Sequence, residues 1–127
     1  MDPILIIAIV LLAFEAVWNA VEFSQVYRLR KDKAKFIEAH SQIGEGSELV
    51  AFVLAGILLY LSDINVILVG LVIVLGIYHL MPTITNKDRI SKMPDSLIQK
   101  MSLFVMVMCA IEVIFSVYVI TTVVPLL

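Results

Sequence analysis

Within its long apolar runs this chain of 127 residues has no lysine and no arginine at all. Charged residues make up only 16% of the sequence, against 61% hydrophobic, and the mean hydropathy is +1.05. A soluble domain this small has too little interior to hide that much apolar surface, which excludes the ordinary globular class and points to a bilayer as the solvent. A single cysteine, Cys109, excludes an intrachain disulfide. The net charge of −2 gives no basic footprint for nucleic acid. No glycine-rich phosphate loop, no Cys-x-x-Cys and no Glu-x-x-His occurs, which removes the sequence basis for nucleotide, thioredoxin-like and di-iron carboxylate chemistry. No serine nucleophile has a histidine and aspartate to work with inside the apolar runs. The chain therefore reads as a non-enzyme, and no cofactor is required.

What is present is a set of apolar segments long enough to count as membrane spans. The first runs over about 3–27, with Pro3 in the first turn, where its missing N–H costs nothing. Asp2 stands where a signal peptide would carry positive charge, so this segment is expected to be a permanent helix. The apolar block after residue 46 is too long for one span. It is interrupted by Ser62-Asp63-Ile64-Asn65, a cluster of turn formers, and so divides into helices at about 47–61 and 65–81 around a tight hairpin at 62–65. Pro82 ends the third helix, and Pro94-Asp95-Ser96 opens a fourth over about 95–124. Gly44 and Gly46 are expected to turn the chain back into helix two. The predicted fold is all-α: a single polytopic domain, 1–127, with four transmembrane helices.

Orientation follows from the basic residues. Arg28, Arg30, Lys31, Lys33 and Lys35 lie in one loop, and Lys87, Arg89, Lys92 and Lys100 in another. The positive-inside rule places both basic loops, 28–46 and 83–100, in the cytoplasm and both termini outside, in a multi-pass protein of the cell membrane.

Polar residues inside the spans are the candidate site. At 100° per residue, Glu15, Asn19 and Glu22 fall within about 60° of one another, on a stripe shared with Ala8, Leu12 and Val26. In helix four, Glu112 lies roughly on one stripe with Met101, Val105, Met108 and Ser116. Counting residues predicts two levels. Glu15, Asn19 and Glu112 meet near the midplane, while Glu22, Glu48 and His79 meet nearer the cytoplasm. A charged group at the bilayer centre costs about 2.5–3.5 kcal/mol, and the chain has no basic residue inside the membrane except His79 to offset it. The missing cation is then a proton, a metal ion or a residue of another chain. Uncharged interhelical hydrogen bonds are the plain alternative, at about 0.6 kcal/mol each. Glu22, Glu48 and His79 are the weak metal candidates. A copper set of Met101, Met108, Cys109 and His79 is outweighed by methionine's routine use as core filler. Gly56, Gly70 and Gly76, with Ala13, Ala16 and Ala20, are expected to permit close helix packing, and Trp18 to pack against a neighbouring helix.

These features favour an accessory subunit of a larger membrane complex, stabilising or positioning a catalytic partner, because the polar faces lack an obvious partner in their own chain. A homo-oligomeric proton- or cation-coupled transporter or channel using Glu15 and Glu112 is the alternative, and a membrane enzyme with a carboxylate/histidine metal site comes third. The expected partners are the lipid bilayer and either other membrane subunits or further copies of this chain, without nucleic acid.

Overall fold

The computed structural model describes residues 2–29, 42–80 and 92–127. Among them the secondary structure is helical throughout, with no strand. Helix α1 spans Pro3–Leu29, α2 Gln42–Leu61, α3 Val66–Ile77 and α4 Asp95–Val123. Short 3₁₀ turns, Tyr78–Leu80 and Val124–Leu126, extend α3 and α4. The helices α1 and α4 are each long and apolar enough to cross a membrane, while α2 and α3 contain shorter apolar stretches, Gly46–Leu61 and Val66–Leu80.

Each boundary has a local cause. The Asp2 carboxylate accepts a hydrogen bond from the Ile4 N–H at 3.0 Å, meeting one of the unsatisfied donors at the start of α1. The end of α2 is closed by two backbone bonds, Ile64 N–H to Leu59 O and Asp63 N–H to Tyr60 O, with Asp63 in the left-handed region at φ 60°. This is the Schellman arrangement, and Ile64 supplies its apolar contact by packing against the core. The Asn65 side chain then caps α3, accepting from the Ile67 N–H at 2.8 Å. The expected hairpin at 62–65 is therefore present.

Helix α2 begins at Gln42, five residues before the expected start at 47, so Gly44 and Gly46 lie within the helix rather than forming a turn. A glycine inside a helix costs only about 0.5–1 kcal/mol, which tertiary packing overrides. Most of the two basic loops, including Arg30, Lys31, Lys33, Lys35, Lys87 and Arg89, lies outside the described residues, as do His40 and Pro82.

The buried residues follow heptad spacing. In α4 they are Ile98, Ser102, Val105, Cys109, Glu112, Ser116, Val119 and Val123, alternating steps of four and three. The same steps run through Leu5, Ala8, Leu12, Glu15 and Asn19 in α1, Glu48, Phe52, Ala55 and Leu59 in α2, and Val69, Val72, Gly76 and His79 in α3. Such spacing keeps one narrow stripe of each helix facing its neighbours, as in left-handed bundles. Helix α1 packs along both α2 and α4, and α2 packs along α3.

Two apolar layers result. The larger gathers Leu5, Leu12, Phe52, Leu59, Val72 and Val123 toward the hairpin end, and the smaller joins Val26, Ile98, Val105 and Cys109. The outer surface of all four helices is apolar too: Val10 and Val17, Val50 and Ile57, Ile67 and Val74, Leu103 and Ile114 are all exposed.

Glycine and alanine divide by role. A Cβ on Gly56 would run into the Ile73 side chain, and one on Gly76 would sit 3.1 Å from the Leu49 carbonyl oxygen, so these two let α2 and α3 approach closely. Gly70 has nothing within 4 Å and has no such role. Ala13 and Ala20 are exposed and Ala16 is half-buried, so none of the three belongs to the buried core of the described residues. Trp18 is 43% exposed and stacks on Phe14 of its own helix at 6.1 Å rather than packing on a neighbouring one.

Candidate functional site

Between the two apolar layers the heptad stripes turn polar. Glu15 and Asn19 of α1, Glu48 of α2, His79 after α3, and Glu112 and Ser116 of α4 are all buried. Each occupies a position where the spacing calls for an apolar residue. Their convergence follows from counting back from the hairpin end of the bundle. Glu15 comes twelve residues after Pro3, Glu48 thirteen before Leu61, His79 thirteen after Val66 and Glu112 eleven before Val123. At 1.5 Å per residue all four lie roughly 16–20 Å from that end.

His79 is the centre of the layer. Its Nδ1 lies 3.3 Å from Glu48 Oε2 and its Nε2 3.0 Å from Glu112 Oε1. The ring is held between aromatic groups: Phe52 stacks nearly parallel to it at 6.3 Å, and Tyr78 meets it edge-on at 5.0 Å. The ring belongs to the 3₁₀ turn Tyr78–Leu80 that extends α3, and it lies between carboxylates of α2 and α4. Glu15 sits close enough to Glu112 and His79 to interact with them electrostatically. The Asn19 amide nitrogen donates to the Glu15 backbone carbonyl at 2.9 Å and lies 3.4 Å from Glu15 Oε2. Those donor contacts identify the other amide atom as the oxygen. Asn19 Oδ1, Glu15 Oε1 and Ser116 Oγ, all buried, have no hydrogen-bond partner among the described residues.

A cavity of about 10 Å³ adjoins the cluster, lined by Asn19, Glu22, His79, Met108, Cys109 and Glu112 together with Tyr78 and Val105. That is about the volume of a single water-sized sphere.

Proton counting defines what the site can do. Ionised carboxylate oxygens only accept hydrogen bonds, and each imidazole nitrogen either donates or accepts. Placing a proton at each of the two His79–carboxylate contacts takes two protons, whether as an imidazolium between two carboxylates or as a neutral ring beside one carboxylic acid. The trio keeps one negative charge in either form. With Glu15 included, three carboxylates surround a single ring. Neutrality is reached by three added protons, or by one divalent cation and one proton. No lysine or arginine supplies the charge among the described residues, since Arg28, Lys92 and Lys100 are exposed. A buried charge without a counter-charge is strongly disfavoured, so this layer has the chemistry of a cation or proton site.

The candidate residues therefore form one level rather than two. Glu48 and His79 join Glu112 directly, beside Glu15 and Asn19, and Glu22 is half-buried at the cavity wall. Of the weak metal set of Glu22, Glu48 and His79, the structure brings Glu48 and His79 together with Glu112 rather than Glu22, each offering a potential ligand atom within 4.8 Å of the others. No family model, curated protein or solved structure matches this chain.

Proposed function

We propose that this chain is a four-span membrane protein whose buried polar layer binds a proton or metal cation within the bilayer, and that it works as a small cation- or proton-coupled carrier or channel. The observation that carries this reading is His79 bridging Glu48 and Glu112 at 3.3 and 3.0 Å inside an otherwise apolar bundle. An intramembrane ionisable cluster facing the bundle interior is the recurring mark of ion and proton pathways. Transport sites commonly lie near the midplane, where these residues fall when the apolar stretches are taken as spans. The exposed apolar residues on α2 and α3 support their embedding alongside α1 and α4. The two short spans are accommodated by local thinning of the bilayer. The basic loops then face the cytoplasm, and Glu22, at the half-exposed edge of the cavity, offers a route in from that side.

The test is reconstitution into liposomes with a pH-sensitive dye and a cation-sensitive dye inside. Wild-type protein is expected to dissipate an imposed proton or cation gradient, and Glu112→Gln and His79→Ala to reduce the flux at least tenfold while the protein remains folded by circular dichroism. Equal flux in wild type and both variants would overturn the proposal.

An accessory-subunit role is the second reading. The observation favouring it is the exposure of Ala13 and Ala20, small residues outside the buried core of the described residues that suit a helix of another subunit. Stoichiometric co-purification of other subunits from gently solubilised native membrane, combined with absent flux, would select it.

A further inference from the structure

We propose that the cation is a divalent transition metal, a single ion held by His79 Nε2, a Glu112 oxygen and Asn19 Oδ1, with Glu48 behind the ring as the residue that orients it. This inference rests on the cation-site reading above and names the ion class.

Several independent features of the geometry agree. His79 Nε2 and Glu112 Oε1 are 3.0 Å apart, close to the separation of roughly 3 Å that two ligands adopt on one ion at bond lengths near 2.0–2.1 Å. Asn19, His79 and Glu112 line the 10 Å³ cavity, whereas Glu48 does not. Glu48 instead faces the opposite ring nitrogen, Nδ1, at 3.3 Å. That is the carboxylate–histidine–metal arrangement, in which the outer carboxylate accepts a hydrogen bond from Nδ1–H, fixes that tautomer and leaves the Nε2 lone pair for the ion. Asn19 Oδ1 is fully buried and without a hydrogen-bond partner among the described residues, while the Asn19 nitrogen is committed to Glu15. A buried amide oxygen in a lining residue, with no hydrogen bond of its own among the described residues, is available as a third ligand atom. The ion sits where a proton would otherwise bridge Nε2 and Glu112, and with Glu48 and Glu112 ionised and one proton on Glu15 the layer is neutral.

The donor set selects the ion class. Imidazole with carboxylate and amide oxygen suits zinc, cobalt and ferrous iron, whereas magnesium and calcium call for all-oxygen sites. Met108 and Cys109 on the remaining wall add soft sulfur near the ion and shift the preference further from magnesium and calcium.

The test uses the full chain purified in detergent, stripped with chelator and dialysed against Zn²⁺ or Co²⁺, with metal content measured by elemental analysis and the Co²⁺ site followed by its visible absorption. The expected result is one ion per chain, undiminished by a hundredfold excess of Mg²⁺, with a Co²⁺ spectrum showing nitrogen ligation. His79→Ala and Glu112→Gln are expected to abolish stoichiometric binding. Glu48→Gln preserves the ligands and is expected to weaken binding about 10–100-fold while keeping the one-to-one stoichiometry. Asn19→Ala guards against misfolding of the histidine and glutamate variants, because it removes one ligand from a layer whose charged groups all remain, and it is expected to weaken binding and alter the Co²⁺ spectrum. Binding that is absent, sub-stoichiometric, or unchanged in these variants overturns the metal assignment. If proton flux in liposomes nevertheless persists and depends on His79 and Glu112, the ligand is the proton and the broader cation reading survives. If flux is absent as well, both fail.

Discussion

Asn19 shows how a single amide serves two ends in this bundle. Its nitrogen is tied one turn back to Glu15, and its oxygen is left without a hydrogen-bond partner among the described residues, in a side chain that lines the cavity. The Glu15–Asn19 pairing was legible from the 100° repeat alone, as was the burial of Ala8, Leu12 and Val26 beside it. The meeting of Glu48 with Glu112 was not. Helix two was expected to begin at residue 47, which put Glu48 at the cytoplasmic surface. Its actual start at Gln42 adds more than a turn before Glu48, and Glu48 and His79, expected together nearer the cytoplasm, lie instead at the level of Glu112. A second residue carries local strain. Asp63 adopts φ 60° at the end of α2, a conformation that favours glycine and is merely tolerated by aspartate. Asp63→Gly is expected to stabilise the protein by about 0.5–1 kcal/mol and raise its melting temperature in detergent. Asp63→Val is expected to lower it, because a β-branched side chain fits that region poorly. Equal melting temperatures in the three proteins would mean that the turn is looser than the Schellman bonding implies.

At the scale of elements, the α2–α3 hairpin depends on how closely two backbones approach. Sequence alone offered Gly56, Gly70 and Gly76 as equals, because composition does not say which face of α3 meets α2. The structure separates them. A Cβ on Gly76 would lie 3.0 Å from Phe52 Cβ and 3.1 Å from a backbone oxygen, whereas one on Gly70 meets nothing. Gly76→Ala is therefore expected to destabilise the bundle by about 1–3 kcal/mol, since backbone cannot move aside as a side-chain tip can. Gly70→Ala is expected to be neutral or stabilising by up to about 1 kcal/mol through helix propensity. Thermal unfolding of both variants by circular dichroism checks the contrast, and a larger loss in Gly70→Ala would refute the packing assignment. The Gly76 effect also reaches the site, because Phe52, which would be pushed, stacks on His79.

For the whole molecule, the helix lengths set how the bundle can lie in the bilayer. Two arrangements fit the lengths. In one, only α1 and α4 span and the α2–α3 hairpin stays on the cytoplasmic side. In the other, all four span and the hairpin tip emerges outside. Residues such as Ile57, Ile67 and Val74 argue for the second, because leaving them in water forfeits about 25 cal/mol for every Å² of apolar surface. The alignment of Glu48 and His79 with Glu15 and Glu112 argues the same way: one continuous layer forms only if α2 and α3 lie alongside the two long helices. Cysteine labelling distinguishes the two arrangements without altering the site, because native Cys109 is only 4% exposed and forms a silent background. A cysteine at Ser62 is expected to react with a membrane-impermeant maleimide added outside intact cells. Cysteines at Lys33 and Arg89 are expected to react only after permeabilisation. Protection of Ser62 until permeabilisation would establish the two-span arrangement and would leave the Glu48–His79–Glu112 layer without a bilayer on every side, so the midplane argument for transport would fall with it.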